Sequence, residues 1–406
     1  MYPMRCFRQA GRSCKQLVRL CSQKGSEESK KCANLRAGNI CRDSIKKDDK
    51  GDKGDTGDKC DKGDKDSKDA KDAKESKDNG QHKVTLLEGD GVGKELISSL
   101  KTVFEAAQVP VEWDVVDCYM VDGKINPKLL ESLKRNKVGI KGPIEIRDLK
   151  HLWKAFGLYA YVTLCRNLKG QQSRYGALDC VVIRDVMEGE YSGIEHSVVP
   201  GIFQSIKVST SAGSNRIARF VFRYAMEHKR RKITVAHKAN IMKLTDGNFL
   251  SSMRTEAQKH LDKVKFEERY MDTTCLNLVM HPEQNDVLVS SSMYGDVLIV
   301  MASSISGGKA LCPSFYVSKK GLLYDTLLKP TRDIAGMDLI NPTGMLLSAS
   351  QMLTHLKLDS YAATIRCAVE QLYKETDIRT TELGGSSKCS DVTQAVCQFI
   401  SDAKKR

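Results

Sequence analysis

Several features that would assign this chain to a common class are missing from its 406 residues. No apolar run approaches the roughly 20 residues that a membrane-spanning helix needs, so we expect a protein that does not cross a membrane. None of the 14 cysteines forms a Cys-x-x-Cys pair, which argues against a zinc ribbon and a thioredoxin-like redox motif. Aromatic residues make up only 6%, and they are not interleaved with basic residues as in single-strand nucleic-acid binders.

The formal net charge of +14 raises the question of nucleic-acid binding. Residues 1–80 carry 21 basic and 15 acidic side chains, and the other 326 residues carry 44 and 36. The surplus is therefore small for the length of the chain after residue 80. A mildly basic domain of this kind suits small anionic substrates equally well. We therefore predict no nucleic-acid partner.

The first 26 residues lack acidic side chains altogether and contain six basic ones. Arg5, Arg8 and Arg12 recur at helical spacing, which is typical of a cationic, amphipathic mitochondrial transit peptide. The segment has no apolar stretch of the length found in secretory signals. This composition predicts a transit peptide over residues 1–26 and a location in the mitochondrial matrix. A disordered basic tail is the alternative.

Residues 27–80 are predicted to form a disordered linker rich in Asp, Lys and Gly. Within them, the run 46–78 repeats with a period of three, but it contains only four glycines and no proline. A collagen triple helix needs glycine at every third position, so that structure is excluded. Alternating Asp and Lys residues bury too little apolar surface to offset the entropy lost on ordering.

Six of the cysteines precede residue 81, and the other eight are scattered through apolar or mixed segments. Cysteines scattered in this way are typical of buried free thiols. A reducing compartment such as the mitochondrial matrix is consistent with this distribution.

After residue 81 the chain alternates between short apolar runs and helical patterns, which predicts an α/β protein with a substantial parallel sheet. The first run, His82 to Leu87, ends at a glycine-rich turn and predicts a buried strand. Further buried strands are predicted within residues 137–140, 180–183, 232–236 and 286–289. Helices are predicted within residues 94–107, 214–228 and 246–260, and a pair of helices within 341–373.

Four motifs in this region occur in an informative order. They are Glu88-Gly-Asp-Gly-Val-Gly-Lys-Glu95, Glu188-Gly-Glu-Tyr-Ser-Gly-Ile-Glu-His196, His237-Lys-Ala-Asn-Ile-Met-Lys243 and Tyr294-Gly-Asp296. In order and spacing they resemble the subunits of mitochondrial NAD-dependent isocitrate dehydrogenase, within the isocitrate/isopropylmalate dehydrogenase family. Details such as Tyr-Ser-Gly-Ile-Glu-His are most similar to the catalytic (alpha) type of subunit.

The resemblance runs from about residue 83 to residue 400. It implies that residues 81–406 form an isocitrate/isopropylmalate dehydrogenase-like domain. In that fold, a large domain is built from both chain ends, and a smaller central domain also builds the dimer interface. The glycine-rich opening motif on its own predicts only a tight strand-to-helix turn, because it lacks the Gly-x-Gly-x-x-Gly spacing of a dinucleotide fold.

The reaction implied by the resemblance is the oxidation of isocitrate by hydride transfer to NAD, followed by loss of carbon dioxide to give 2-oxoglutarate in the tricarboxylic acid cycle. It needs an acid, a base, cationic groups for the carboxylates and a divalent ion, Mg²⁺ or Mn²⁺. By resemblance, Tyr191 and Lys238 are the catalytic residues, Arg184 binds the substrate, and Asp296 and Asp272 bind the metal. The implied cofactor-binding residues are Gly307, Gly308, Asp333 and Asn341.

The resemblance also implies partners. In the family, the lysine that matches Lys238 and the acid that matches Asp272 act in the active site of a neighbouring subunit. Other isocitrate dehydrogenase subunits are therefore the implied partners, in a hetero-oligomer that is at least a dimer, and isocitrate is the implied substrate.

Several positions that the family chemistry uses carry different residues here. The second acid of the family pattern Tyr-Gly-Asp-x-x-x-Asp is Val300, which cannot ligate a metal. Two of the three substrate-binding arginines are replaced, by Trp153 and Thr163. Losing two charge-assisted pairs costs about 3 kcal/mol or more of substrate binding. The cofactor loop at 328–333 reads Leu-Lys-Pro-Thr-Arg-Asp in place of His-Gly-Thr-Ala-Pro-Asp.

These changes leave three hypotheses open. The chain is a catalytically impaired subunit, a pseudo-enzyme that acts within a heteromer by lending residues to a partner or by binding an effector. Alternatively, it is an active dehydrogenase with altered 2-hydroxy acid specificity. A third, non-enzymatic interpretation is an assembly or ligand-sensing paralogue that keeps only the fold.

Overall fold

The computed structural model describes residues 82–116, 119–121, 123–171, 173 and 175–405. The predicted transit peptide (1–26) and the predicted linker (27–80) lie outside these residues. The described residues therefore cover nearly all of the predicted domain 81–406. Within them, no helix is both long enough and apolar enough to cross a membrane.

Fourteen strands occur in the described part of the chain. They are β1 (His82–Leu87), β2 (Val111–Val115), β3 (Met120–Val121), β4 (Lys124–Ile125), β5 (Val138–Lys141), β6 (Leu158–Arg166), β7 (Asp179–Asp185), β8 (Gly189–Val199), β9 (Ile202–Val208), β10 (Lys232–His237), β11 (Lys265–Tyr270), β12 (Val287–Ser290), β13 (Pro313–Ser318) and β14 (Gly321–Thr326). Ten of them form one sheet in the order β11-β10-β12-β7-β6-β13-β14-β5-β1-β2, and β3–β4 and β8–β9 form two separate pairs.

Ten α-helices connect or flank these strands among the described residues. They are α1 (Gly93–Ala107), α2 (Pro127–Asn136), α3 (Ile146–Phe156), α4 (Ser211–Glu227), α5 (Thr245–Ala257), α6 (Met271–Met280), α7 (Ser292–Ile305), α8 (Thr343–His355), α9 (Asp359–Glu375) and α10 (Cys389–Lys405). Short 3₁₀ turns lie at Gln258–His260, Pro282–Gln284, Lys309–Leu311, Arg332–Ile334 and Thr381–Leu383.

The ten-stranded sheet has two parallel parts. The first, β2-β1-β5-β14, is built from both ends of the described chain. The second, β7-β12-β10-β11, comes from its centre. The antiparallel strands β6 and β13 join the two parts in the middle of the sheet. The predicted α/β class with substantial parallel sheet is therefore confirmed.

Both faces of the sheet are covered, and the two-residue period of the strands explains how. Alternate residues of β6, such as Ala160 and Val162, belong to one buried apolar cluster, whereas Tyr161 and Cys165 belong to a second. Because successive side chains point to opposite faces, one strand contributes to two cores. This explains why the predicted strands read as continuous apolar runs.

Local sequence also determines where helices begin. Before α2, the Asn126 side chain accepts a hydrogen bond of 3.0 Å from Lys128 N, and Pro127 occupies the first helical position. Before α4, the Thr210 hydroxyl accepts a hydrogen bond of 3.1 Å from Gly213 N. The Glu188 carboxylate in turn accepts hydrogen bonds from Thr210, so it links the start of α4 to the strand that carries Tyr191.

The predicted strands and helices are present with shifts of a few residues. For example, the predicted helix 246–260 is α5 over Thr245–Ala257 followed by a 3₁₀ turn, and the predicted C-terminal pair is α8 and α9. Two features were not predicted. One is the antiparallel centre of the sheet. The other is the β8–β9 hairpin, which carries exposed apolar side chains such as Val198 and Phe203.

A buried ion pair joins β5 and β14. Lys141 Nζ lies 2.7 Å from Asp325 Oδ1, and the two side chains are only 1% and 5% exposed. Lys141 also donates a hydrogen bond of 3.3 Å to its neighbour's carbonyl, Gly142 O. Two charges buried in this way stabilise each other, but either of them alone would be strongly destabilising.

We predict that Lys141→Met lowers the free energy of unfolding by about 3–5 kcal/mol, because Asp325 is left as an uncompensated buried charge. The measurement is urea unfolding of the purified chain. The control is Lys83→Met, since Lys83 pairs with Glu112 at an exposed site where a loss of at most about 1 kcal/mol is expected. The double variant Lys141→Met/Asp325→Leu should recover most of the loss. A single-variant loss below that of the control would contradict the prediction.

Candidate active site

Three of the predicted site residues come together near the middle of the sheet. Arg184 lies near the end of β7, Tyr191 lies in β8, and Asp296 lies in the first turn and a half of α7. Arg184 Nε is 2.7 Å from Asp296 Oδ1, and the Tyr191 hydroxyl donates a hydrogen bond to Asp296 Oδ2. Both oxygens of the Asp296 carboxylate are therefore occupied by residues of this chain.

The Arg184 guanidinium is enclosed. The residue is 3% exposed, and its Cζ lies 5.2–5.7 Å from the ring centroids of Trp153, Tyr161 and Tyr191. Its Nη1 donates a hydrogen bond of 3.1 Å to Asp185 O. The contact of its Nε with Asp296 has the distance of an ion pair without the alignment of a hydrogen bond. Arg184 is thus held by three aromatic rings and one carboxylate.

The environment of Tyr191 determines its protonation. Burial, followed by the hydrogen bond to Asp296, raises the pKa of Tyr191 well above its usual value. The phenol therefore stays protonated at neutral pH and can donate a proton but cannot act as a base. Trp153 packs beside it, with a distance of 6.4 Å between the ring centroids.

Lys238 and Asp272 form a second cluster. Lys238 follows the end of β10, Asp272 lies in the first turn of α6, and Lys238 Nζ is 3.1 Å from Asp272 Oδ2. The hydrogen bond from Lys238 lowers the pKa of Asp272, whose side chain is largely exposed. The two predicted catalytic residues thus lie in different clusters: Tyr191 contacts Asp296, and Lys238 contacts Asp272.

Lys207, a residue that the sequence analysis did not single out, connects the segments that carry these clusters. Its Nζ lies 3.1 Å from Glu190 Oε1 and 2.7 Å from Asp246 Oδ1, and 4.7 Å from the centroid of the Tyr294 ring. The other oxygen of Asp246 accepts a hydrogen bond of 2.8 Å from Lys238 N. Glu190 and Tyr294 belong to recognised motifs, but Lys207 lies in an exposed hairpin whose pairing could not be predicted.

The changed substrate-binding positions are filled by packing. Trp153 is buried, and its ring also packs against Tyr316, at 6.1 Å between the centroids. Thr163 is fully buried in β6, and its hydroxyl has no hydrogen-bond partner among the residues that the structure describes. Arg147, in the same helix as Trp153, is exposed, and its Nε lies 3.6 Å from Asp148 Oδ1, so it does not replace a lost guanidinium. Leu149, which follows in the same helix, is buried.

The predicted cofactor-binding residues do not form one open site. Gly307 and Gly308 make the turn after α7 with φ of 112° and 126°, and Asp333 is exposed in a 3₁₀ turn. Asn341 is fully buried, and its amide donates hydrogen bonds to Tyr373 Oη (3.1 Å) and Thr380 Oγ1 (2.9 Å). Its carbonyl oxygen accepts one of 2.9 Å from Thr343 N. The Asn341 side chain is therefore committed to the fold.

The loop 328–333 lies against the glycine-rich turn. Pro330 O accepts a hydrogen bond of 2.9 Å from Val92 N, and a Cβ atom on Gly91 would lie 1.8 Å from Pro330 O. Gly91, with φ of 55°, is therefore required by a close backbone contact. This contact fixes the loop 328–333 against the turn, and dinucleotide binding by Gly307, Gly308, Asp333 and Asn341 stays a prediction.

The residues around Asp296 do not fit a divalent metal ion. Val300 lies one helical turn after Asp296 and offers an apolar side chain. Asp296 itself is engaged by Arg184 and Tyr191, and Mg²⁺ requires several free oxygen ligands. Among the described residues, no group of three His, Cys, Asp or Glu side chains could hold a metal ion.

Comparison with known proteins places the chain in a family. The family model for isocitrate/isopropylmalate dehydrogenase matches residues 83–396. A protein of Drosophila melanogaster, named probable mitochondrial isocitrate dehydrogenase (NAD) subunit alpha, is 45% identical over 331 residues, which cover 79% of this chain and 88% of the relative. The mitochondrial isocitrate dehydrogenase (NAD) subunit alpha of Bos taurus is 40% identical over 336 residues, or 80% and 92% of the two chains.

Solved structures agree with this assignment. The crystal structure of isocitrate dehydrogenase from Methylococcus capsulatus has a TM-score of 0.74 and 31% identity, and the match covers 79% of this chain and 100% of that one. A protein from Thermus thermophilus has a TM-score of 0.76 and 30% identity, with 79% and 68% covered. These matches confirm the predicted resemblance to alpha-type subunits, and the names of the relatives agree with a mitochondrial location. The chain therefore belongs to the isocitrate/isopropylmalate dehydrogenase family.

Proposed function

We propose that this chain is a subunit of a mitochondrial NAD-dependent isocitrate dehydrogenase whose own active site is impaired. In this proposal, the chain acts in a hetero-oligomer and lends Lys238 and Asp272 to the active site of a partner subunit. NAD, a divalent metal ion and isocitrate are then bound mainly by the partner. The proposal includes the transit peptide at residues 1–26 as the signal for mitochondrial import.

The observation that carries the proposal is the closed cluster of Arg184, Asp296 and Tyr191. A substrate carboxylate would have to displace Asp296 from Arg184, and a metal ion would have to displace both Arg184 and Tyr191 from Asp296. Either exchange removes charge-assisted contacts, each of which contributes about 1.5–3 kcal/mol. Buried Trp153 and Thr163 offer no second guanidinium in compensation.

The second cluster is exposed, unlike the first, and this exposure supports the proposal that Lys238 and Asp272 act in the active site of a partner subunit. The side chains of Lys238 and Asp272 are 29% and 68% exposed, so both remain accessible to another chain. The nearby exposed apolar side chains of α6, Leu276 and Met280, are of the kind that a subunit interface buries. The apolar side chains of the β8–β9 hairpin have the same character.

The chemistry available to the lent residues follows from their charges. Lys238, with three N–H donors, can hydrogen-bond to the substrate hydroxyl and exchange a proton there. Asp272, which Lys238 keeps ionised, offers carboxylate oxygens of the type that Mg²⁺ and Mn²⁺ prefer. Tyr191 remains a proton donor without a substrate site of its own.

We predict that Lys238→Met lowers the turnover of the reconstituted complex by about 100-fold or more, the usual contribution of a general acid–base group. The measurement is NADH formation with isocitrate and Mg²⁺, using the full chain co-expressed with the other subunits of the same organism. The matched control is Lys263→Met, an exposed lysine at the opposite end of the β10–β11 pair. Complex formation is checked by gel filtration.

Three outcomes would contradict this proposal in different ways. Unchanged turnover with Lys238→Met would exclude the lending role. Loss of turnover with Tyr191→Phe but not with Lys238→Met would indicate that the chain's own site is active. A well-formed complex that forms no NADH would favour an assembly or ligand-sensing role.

The impaired metal site gives a second prediction. We expect Val300→Asp to make the isolated chain more heat-stable in the presence of Mn²⁺, because a second carboxylate would lie one helical turn from Asp296. A ligand at 100 times its Kd adds about 2.7 kcal/mol of stability, which raises the Tm by several degrees. The unmodified chain should show no such shift.

The control for this experiment is Val297→Asp, which places the same charge on the same helix directly after Asp296, where neighbouring side chains do not face each other. The two valines are similarly exposed, at 45% for Val297 and 42% for Val300, so both variants should fold equally well. Equal Mn²⁺ shifts for both variants, or a clear shift for the unmodified chain, would count against an impaired metal site.

A further inference from the structure

Three cysteines lie side by side on neighbouring strands of the large sheet. Cys165 in β6 is directly opposite Cys180 in β7. On the other side of β6, Ser314 of β13 lies opposite Thr163. Continuing this register past the start of β13 brings Cys312 level with Cys165. Opposite residues of an antiparallel pair point to the same face, so the three thiols form a row, Cys312–Cys165–Cys180. All three are free and buried.

Cys312 has the most contacts of the three. Its thiol and that of Cys165 influence each other, raising the pKa of Cys165 and lowering that of Cys312. Its Sγ also lies 3.2 Å from Ser306 Oγ and 3.6 Å from Gly308 O. The row is therefore connected directly to the Gly307–Gly308 turn that follows α7.

The thiols differ in reactivity. Hydrogen bonds from Cys165 and Ser306 lower the pKa of Cys312 despite its burial. Burial raises the pKa of Cys180 to about 12. Since the thiolate is the reactive form, Cys312 is the nucleophile of the row, whereas the raised pKa values of Cys165 and Cys180 keep both of those thiols protonated.

We propose that Cys312 and Cys165 form a redox modification site, at which a peroxide converts the two thiols to a cross-strand disulfide. Opposite residues in a sheet have Cβ atoms about 4.5–5.5 Å apart, and a disulfide needs about 3.5–4.5 Å. The required movement is thus at most about 1–2 Å. Cys312 lies just before β13, and its N–H donates a hydrogen bond of 3.3 Å to Lys309 O, so this movement would not break the pairing of β13 with β6.

The chemistry balances with hydrogen peroxide as the oxidant. The Cys312 thiolate attacks one peroxide oxygen, the O–O bond breaks, and the departing hydroxide takes a proton to become water. The Cys312 sulfenic acid that results is then attacked by the Cys165 sulfur. The S–O bond breaks, and hydroxide leaves with the Cys165 proton as a second water. Two thiols are oxidised, and one peroxide is reduced to two water molecules.

The disulfide would change the Gly307–Gly308 turn. Cys312 Sγ could no longer donate to Gly308 O or keep its contact with Ser306. The backbone hydrogen bonds from Gly308 N to Ser303 O and from Gly307 N to Ser304 O would lose this support. The amides of this turn should therefore exchange with solvent faster in the oxidised chain.

The test is peptide mapping of the full chain after treatment with a small excess of hydrogen peroxide. Remaining thiols are blocked with N-ethylmaleimide, and the digest is analysed by mass spectrometry without reduction. We expect a peptide pair joined through Cys165 and Cys312, at least about tenfold more abundant than any Cys180 linkage and reversed by dithiothreitol. Hydrogen exchange of the peptide around residues 303–313 is followed in parallel.

Variants separate this result from non-specific oxidation. Cys180→Ser should keep the linkage, whereas Cys312→Ser should abolish it. Cys165→Ser should leave Cys312 as a sulfenic acid that dimedone traps. Circular dichroism checks that each variant is folded, and the unmodified chain alone suffices if one is not. A Cys165–Cys180 linkage, or Cys312 recovered as a free thiol after treatment, would overturn the proposal.

Discussion

The buried guanidinium of Arg184 is the constraint on which the candidate site depends. A charge with 3% exposure requires a partner, because an unpaired buried ion is destabilising by several kcal/mol. Asp296 is the carboxylate that pairs with it, and the Tyr191 hydroxyl donates a hydrogen bond to the other oxygen of Asp296. Val300 stands where the family has a second acid. No other carboxylate on that face of α7 could therefore pair with Arg184 and leave Asp296 free for a ligand. The chain thus satisfies internally the charges that a substrate and a metal ion would otherwise satisfy.

The parts of the fold that depend on local pattern could be predicted from the sequence. A strand covered on both faces reads as a continuous apolar run, so β1, β7 and β10 could be located to within a few residues. Pairing between distant strands leaves no such local signal. The antiparallel junction of β6 and β13 therefore could not be derived from periodicity, and neither could the β8–β9 hairpin, whose apolar side chains remain exposed.

The candidate site could likewise be predicted from the sequence only in part. The resemblance assigns Tyr191, Asp296 and Arg184 to one reaction, and the structure brings their side chains together. Motif position does not reveal whether a side chain is free. Asn341 stands at a predicted cofactor position, yet its amide is fully used in hydrogen bonds within the fold. The sequence analysis missed Lys207 because its two carboxylate partners come from segments far apart in the sequence.

The separation of the two clusters explains how one could change while the other is kept. Lys238 is positioned through its own backbone N–H by Asp246, and Asp246 is neutralised by Lys207. Neither contact involves Arg184 or Asp296, so substitutions around those residues leave the setting of Lys238 in place. Lys207 also contacts Glu190, which precedes Tyr191 in β8. Through this contact, Glu190 helps to hold Lys207, and with it the segment that carries Lys238. Glu190 therefore keeps a structural role in the second cluster although the first cluster is closed.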